Sequence, residues 1–157
     1  MGILGSFSSE KVTMNSKTQK IVLVGLCFLT LISIRFFEQS WFYDPFLDFF
    51  KLDYLSKSSP SFQLGKLTFS TLARYTLNSS LSVIILVVLF GQKVLKFSVY
   101  FFILVLLIAL PLYVLLLLNL EKDLYMFFFY VRRFLIQPIF ILLLLPAFYY
   151  QEKLKKN

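Results

Sequence analysis

Residues 97–120 read FSVYFFILVLLIALPLYVLLLLNL, an apolar run without a charged side chain. A helix needs about 20 apolar residues to cross the hydrocarbon core of a bilayer, so this run is long enough to span a membrane. Leu81–Phe90 and Phe134–Tyr150 are also free of charge, and the 157-residue chain is 59% hydrophobic, more than an ordinary soluble domain. A transmembrane β-barrel would show short alternating segments instead. The sequence therefore predicts an all-α membrane protein.

The chain divides into four apolar segments, and short polar links separate the last three of them. The links Gly91–Lys93 and Glu121–Asp123 connect antiparallel neighbours, so these segments are expected to form a compact bundle. Pro111, Pro138 and Pro146 lie inside the predicted helices and are expected to kink them. We therefore predict four transmembrane helices at residues 20–37, 72–90, 94–120 and 124–150, an outer loop of about 34 residues at 38–71, and tails at 1–19 and 151–157.

The placement of the lysines predicts the orientation, because cytoplasmic segments of membrane proteins carry an excess of lysine and arginine. With the amino terminus inside, the cytoplasm collects Lys11, Lys17, Lys20, Lys93, Lys96, Lys153, Lys155 and Lys156. Outside the apolar segments, the outer side then holds only Lys51, Lys57, Lys66 and Lys122. An even number of spans returns the chain to its starting side, so we expect both termini in the cytoplasm.

The first apolar segment resembles the start of an export signal. Lys17 and Lys20 precede Ile21–Ile34 in the order of a signal peptide's basic and apolar regions, but no small-x-small cleavage site follows. An uncleaved signal anchor is therefore expected. Met14 is a plausible alternative start to Met1, and the residues before it are expected to be a tail or a start-site extension.

Composition argues against several classes of function. The net charge of +8 does not predict nucleic-acid binding, because the lysines cluster at helix ends and no RNP-like, zinc or basic-helix motif is present. Cys27 is the single cysteine and the chain has no histidine, so a Cys-His metal site and a histidine general base are both missing. We expect no catalytic residue, metal or cofactor, and we expect Cys27 to be a small buried hydrophobe.

Four arginines lie inside or at the edge of the apolar segments: Arg35, Arg74, Arg132 and Arg133. Ionisable groups at membrane depth are costly and face protein or water rather than lipid. The predicted topology puts all four at the outer face. The carboxylates expected near the same level are Glu38, Asp44, Asp48, Asp53, Glu121 and Asp123.

The spacing of polar residues around the arginines predicts how they are arranged. Arg35 and Glu38 are three residues apart, close enough to pair along a helix. Arg74 is followed at helical spacing by Asn78 and Ser82, which share its face and can hydrogen-bond to another helix. Gln137 extends the polar face of Arg133 in the same way. The candidate polar cluster is Arg35, Glu38, Arg74, Asn78, Ser82, Arg132, Arg133 and Gln137.

The outer loop begins with aromatic residues interleaved with carboxylates. Trp41, Phe42, Tyr43 and Asp44 are expected to form an interfacial anchor at the level of the lipid headgroups. Ser56–Ser61 has the composition of an exposed turn. The loop is too short to be an independent domain.

Three interpretations of the polar cluster stay open. The arginines pair with carboxylates and carbonyls and hold the bundle together, they form a docking surface for a membrane protein or an anionic headgroup, or they line a catalytic or transport cavity. Catalysis by this chain alone is disfavoured by the missing histidine, and a transporter usually has more spans or repeats.

Five fragments carry a resemblance to a known family: Arg35-Phe36-Phe37-Glu38, Phe42-Tyr43-Asp44-Pro45-Phe46, Arg74-Tyr75-x-x-Asn78-x-x-x-Ser82, Arg132-Arg133-Phe134-Leu135-Ile136-Gln137-Pro138 and Pro146-Ala147-Phe148-Tyr149-Tyr150. Between Arg35 and Tyr150 the chain resembles the exosortase F-associated membrane proteins of flavobacteria and relatives (Bacteroidota). The resemblance implies a small bacterial inner-membrane protein encoded beside an exosortase-type enzyme, which processes sorting signals of exported proteins. Cys, Arg and His are the proposed catalytic residues of exosortases at the outer face. This chain has no histidine and no outer cysteine, so an accessory role is implied.

The sequence thus predicts a non-catalytic, multi-pass accessory protein of the inner membrane that binds a partner through its outer face. Its expected partners are membrane lipids and an exosortase-like polytopic protein or a larger envelope complex. Two alternatives remain, a structural subunit of a secretion or motility machine and an enzyme or carrier acting on an anionic lipid of the outer leaflet.

Overall fold

The computed structural model describes residues 16–51 and 59–156, and in these ranges the chain is helical and has no β-strand. The all-α prediction is therefore confirmed for this part of the protein. Several expectations fall outside the described residues: most of the amino-terminal tail with Met14 and Lys11, the residues Asp53 and Lys57, and the first half of the turn predicted at Ser56–Ser61.

The helices follow one another in a simple order. Seven α-helices are described, and short 3-10 turns at Gln92–Val94 and Lys122–Leu124 precede two of them. The α-helices are α1 (Ser16–Phe36), α2 (Glu38–Trp41), α3 (Phe46–Phe49), α4 (Leu64–Phe90), α5 (Leu95–Leu118), α6 (Tyr125–Ile136) and α7 (Ile139–Lys156).

Three of the described helical segments are long and apolar enough to cross a membrane. They are α1, α4 and the segment Gln92–Leu118, which contains α5. The helices α6 and α7 are long and apolar enough only when taken together, and they form a fourth span if they are counted as one unit. The chain bends by 60° between them. Several helices can thus cross a bilayer, as expected for a multi-pass membrane protein.

The segment predicted at residues 124–150, which was expected to kink at its prolines, is divided into the two helices α6 and α7. The chain leaves the helix at Gln137, whose backbone is extended (φ −105°, ψ 142°), as is typical of a residue before a proline. Pro138 has no N–H to donate to the preceding turn. The helix is continuous through the other two prolines, Pro111 in α5 and Pro146 in α7. Of these three prolines, only Pro138 separates two described helices.

The second long helix begins earlier than predicted, at Leu64 rather than residue 72. Hydropathy marks where a segment becomes apolar, whereas the helix itself extends through polar residues such as Lys66 and Ser70. The connection from α1 to α4 is accordingly shorter than the predicted 38–71 loop, and it contains α2 and α3. Arg74 does not begin this helix but lies ten residues into it, about 15 Å along its axis.

The core forms around α4, which contacts α1, α5, α6 and α7. Phe46 of α3 is fully buried against Phe128 of α6, with ring centroids 5.0 Å apart, and Tyr113 of α5 stacks on the same Phe128 ring at 5.3 Å. The connection after α1 is therefore packed into one end of the bundle.

A smaller core joins α1 to the bundle. Cys27 and Leu31 of α1 pack with Ile85 of α4 and Ile141 of α7, and Cys27 is buried as expected. The tight link after α4 depends on Gly91, whose φ of +82° is a conformation that residues with a Cβ rarely adopt.

Candidate functional site

The centre of the site is Asp44, which lies between two arginines from different helices. Arg74 Nη1 of α4 and Arg132 Nη2 of α6 both donate to the same oxygen, Asp44 Oδ2, at 3.0 and 2.5 Å. All three side chains are at least 95% buried. Two helices and the connection after α1 are thus joined through one carboxylate.

The local sequence orients the Asp44 carboxylate. Its other oxygen, Oδ1, accepts a hydrogen bond from the backbone N–H of Phe46 at 3.2 Å, an arrangement that aspartate adopts readily in turns. Pro45, with φ −66°, sets the start of α3. One carboxylate oxygen is therefore held by the chain itself while the other faces the arginines.

Asp44 was predicted to belong to an interfacial anchor, and its carboxylate is buried in the bundle. The physical reason is the charge of Arg74 and Arg132. Two buried guanidinium groups without a counter-ion are far more costly than one buried and paired carboxylate.

Glu38 provides the second carboxylate. Arg35 Nη1 lies 2.7 Å from both Glu38 oxygens, and Arg74 Nη1 is 3.8 Å from Glu38 Oε2. The predicted Arg35–Glu38 pair is thus present, across the junction between α1 and α2. We call Arg35, Glu38, Asp44, Arg74 and Arg132 the ion cluster; its three guanidinium groups exceed its carboxylates by one charge.

Aromatic rings cover the buried arginines. Arg74 Cζ is 4.8 Å from the centroid of the Phe42 ring, and Arg132 Cζ is 5.9 Å from that of Phe50, both within the range of a cation–π interaction. Arg74 Nε and Nη2 and Arg132 Nε are buried and make no hydrogen bond within the described part of the protein. Charge pairing and ring contacts therefore hold the ion cluster, rather than a complete set of hydrogen bonds.

Asn78 and Ser82 lie outside the ion cluster although they share the face of Arg74. Asn78 Nδ2 donates to Ile136 O at 2.8 Å, where α6 ends and leaves carbonyls without helical partners. Ser82 was expected to bond across to another helix, but Ser82 Oγ donates to Asn78 O of its own helix at 2.6 Å. Serine in a helix can satisfy its hydroxyl through the carbonyl four residues earlier in this way.

Substitution of Asn78 tests its role at the end of α6. Asn78→Leu is expected to lower the free energy of unfolding by about 1–3 kcal/mol, because the buried Ile136 carbonyl loses its donor. Ser82→Ala, one turn further along the same helix, is the matched control and should change stability by less than about 0.5 kcal/mol. Circular dichroism of each variant during unfolding in a mild detergent measures both changes in free energy. Equal changes in the two variants would contradict the role assigned to Asn78.

Arg133 and Gln137 are a separate pair on the surface. Arg133 Nε donates to Gln137 Oε1 at 2.8 Å, and Arg133 is exposed. Within the described ranges, Arg133 forms no ion pair. Adjacent arginines at positions 132 and 133 therefore have different environments, one buried against Asp44 and one open to the surroundings.

The other predicted anchor residues differ in their exposure and in their contacts. Trp41 is 62% exposed and stacks on Phe37 at 5.5 Å. Tyr43 lies beneath the Lys66 ammonium group, 4.7 Å from the ring centroid, and its hydroxyl accepts from Gln63 N–H at 3.4 Å. Of the four proposed anchor residues, Trp41 is the most exposed.

Sequence reasoning missed a buried polar pair close to the ion cluster. Thr71 Oγ1 lies 3.2 Å from the Tyr113 hydroxyl, linking α4 to α5, and both residues are buried. The signal was present, because Thr71 precedes Arg74 and Asn78 by three and seven residues and therefore shares their helix face.

No protein-family model, curated protein or solved structure matches this chain. Among the described residues, no group of three or more His, Cys, Asp or Glu side chains lies close enough to hold a metal ion. The ion cluster has an electrostatic role. It neutralises buried arginines and fixes the connection after α1 to the bundle.

Proposed function

We propose that this chain is a non-catalytic accessory protein of a bacterial inner membrane that binds a membrane-protein partner through the tethered loop, residues 37–51. The observation that carries this proposal is the joint binding of Asp44 by Arg74 and Arg132. These contacts hold the tethered loop in one conformation. A preorganised surface loses less conformational entropy when it binds a partner.

The exposed side of the tethered loop has features suited to recognition. Trp41 is 62% exposed, and the Asp48 side chain is 78% exposed. Gln39 Nε2 and Lys51 Nζ both donate to Asp48 Oδ1, at 3.1 and 3.3 Å. An open cavity of about 600 Å³ lies beside these residues and extends to Lys66. An exposed tryptophan next to oriented polar groups is typical of interface hot spots.

The lysine distribution supports the orientation we propose, with four spans and both termini in the cytoplasm. In this arrangement α6 and α7 together form the fourth span, and the tethered loop lies on the outer side. Arg74 and Arg132 then reach down from that side into the bundle, where ion pairing offsets the cost of burying them.

The proposed partner is an exosortase-type sorting enzyme. The support is the resemblance, together with the position of the residues that carry it, since Arg35, Glu38, Asp44, Arg74 and Arg132 form the ion cluster. The proposed catalytic residues of exosortases lie on the outer side, where the tethered loop is proposed to lie. A larger envelope complex is the other partner that the test distinguishes.

Photo-crosslinking in native membranes tests the proposal. A photoreactive amino acid at Trp41 should yield a discrete adduct with a polytopic protein, identified by mass spectrometry. The matched control is Leu107 of α5, which is 66% exposed and should yield lipid adducts only. Subunits of a secretion or motility machine in the Trp41 adduct would replace the sorting enzyme as the partner. Absence of any protein adduct, with a monomer purified in several mild detergents, would refute partner binding.

A further inference from the structure

A groove between α1 and α7 opens beside the break at Pro138. Leu31 and Ile141, both buried, form its floor, and Ile32 (64% exposed) and Leu142 (67% exposed) form its walls. Arg35 and Gln137 line one end. The volume of the groove is about 330 Å³. The groove is thus apolar along its length, with polar groups at one end only.

The polar end of the groove carries uncompensated positive charge. Arg35 is paired with Glu38, but its side chain is still 51% exposed, and the ion cluster to which it belongs has one guanidinium in excess. Arg133 is hydrogen-bonded to Gln137 and has no carboxylate partner among the described residues. Arg35 and Gln137 both line the groove, and Arg133 is hydrogen-bonded to Gln137, so two guanidinium groups lie near this end.

The dimensions of the groove match part of one lipid chain. Phe28, at the far end of the groove from Arg35, is seven residues from it along α1, a rise of about 10 Å. A hydrocarbon chain fits the apolar length, while an anionic phosphate at the end would meet guanidinium donors, which bind phosphate in bidentate geometry. Basic pockets between transmembrane helices bind anionic lipid headgroups in this manner.

We infer that this groove is a binding site for one anionic phospholipid. An acyl chain lies between Ile32 and Leu142, and the phosphate is held by Arg35 and Arg133. The Gln137–Pro138 break has a role in this site, because it ends α6 and places the Gln137 side chain where Arg133 and the groove meet. The groove lies outside the tethered loop, although Arg35 pairs with Glu38 of that loop, and it does not depend on a protein partner.

Native mass spectrometry of the purified protein, with phosphatidylglycerol or phosphatidylcholine added, tests the inference. The wild-type protein should retain phosphatidylglycerol in preference to phosphatidylcholine. Arg133→Gln should weaken phosphatidylglycerol binding about fivefold, the change expected for one basic group near a lipid headgroup, and should weaken phosphatidylcholine binding less, because the choline ammonium offsets the charge of its phosphate. The matched control is Lys153→Gln, which removes a charge from the same bent span about 21 Å along α7 from Ile139 and should have little effect.

A second pair of variants tests the apolar part of the groove. Leu142→Trp fills the groove and should reduce retention of phosphatidylglycerol, whereas Leu107→Trp, on an exposed part of α5, should not. Equal retention of the two lipids by the wild-type protein would overturn the inference. So would equal losses for Arg133→Gln and Lys153→Gln, or for the two tryptophan variants.

Discussion

Asp44→Asn is expected to lower the free energy of unfolding by about 3–5 kcal/mol, the range found when one partner of a buried ion pair is removed. Asparagine keeps an oxygen that can accept one hydrogen bond but removes the charge that neutralises two buried arginines. Arg74 would retain only Glu38, at 3.8 Å, and Arg132 would retain no carboxylate partner among the described residues. This variant is therefore expected to release the tethered loop.

The fluorescence of Trp41, the single tryptophan of the chain, reports release of the tethered loop, and circular dichroism reports loss of helix. Asp48→Asn is the matched control, because Asp48 lies in the same loop with its side chain 78% exposed; its effect should stay within about 0.5 kcal/mol. Equal stability of the two variants in detergent would show that Asp44 does not hold the loop. Replacing Asp44, Arg74 and Arg132 together by apolar residues should recover much of the loss.

Arg132→Gln and Arg133→Gln should differ sharply, although the two arginines are adjacent in the sequence. Arg132 is 95% buried and donates to Asp44, which joins α6 to the tethered loop. Its replacement is expected to cost about 3 kcal/mol of stability. Arg133 is exposed, and among the described residues its side chain bonds only to Gln137, so its replacement should change stability by less than about 0.5 kcal/mol.

The same unfolding measurement in mild detergent compares the two variants directly. Each substitution removes one positive charge from α6, so any general effect of charge cancels in the difference. A similar loss of stability in both would contradict the separate environments described for Arg132 and Arg133. A loss of stability in Arg133→Gln alone would show that Arg133, and not Arg132, has the structural role.

The composition of the candidate cluster was predictable only in part, because arginines in apolar segments need partners but spacing does not name distant ones. The predicted cluster contained four residues of the ion cluster, Arg35, Glu38, Arg74 and Arg132, but not Asp44, and its other members lie outside the ion cluster. The short-range pairs followed from helical spacing, as with Arg35–Glu38 and Arg133–Gln137. The long-range pairs did not, since Asp44 is 30 residues from Arg74 and 88 from Arg132. No periodicity indicates which of several loop carboxylates enters the bundle.

The position of the helix break was partly predictable. Three prolines were expected to kink helices, but only Pro138 separates two described helices. Asn78 of α4 donates to the Ile136 carbonyl that the break exposes. Whether a proline interrupts a membrane helix depends on such neighbouring donors, which sequence spacing within one helix does not reveal.

The amino-acid sequence by itself determined that this protein is helical and that several of its helices are long and apolar enough to cross a bilayer, because uninterrupted apolar runs of this length satisfy their backbone hydrogen bonds as helices. The tertiary structure decided the role of each arginine. The packing of several helices around Asp44 determines which arginine is buried. The energy of an ion pair depends on distance and solvent access, and these differ between the neighbouring positions 132 and 133.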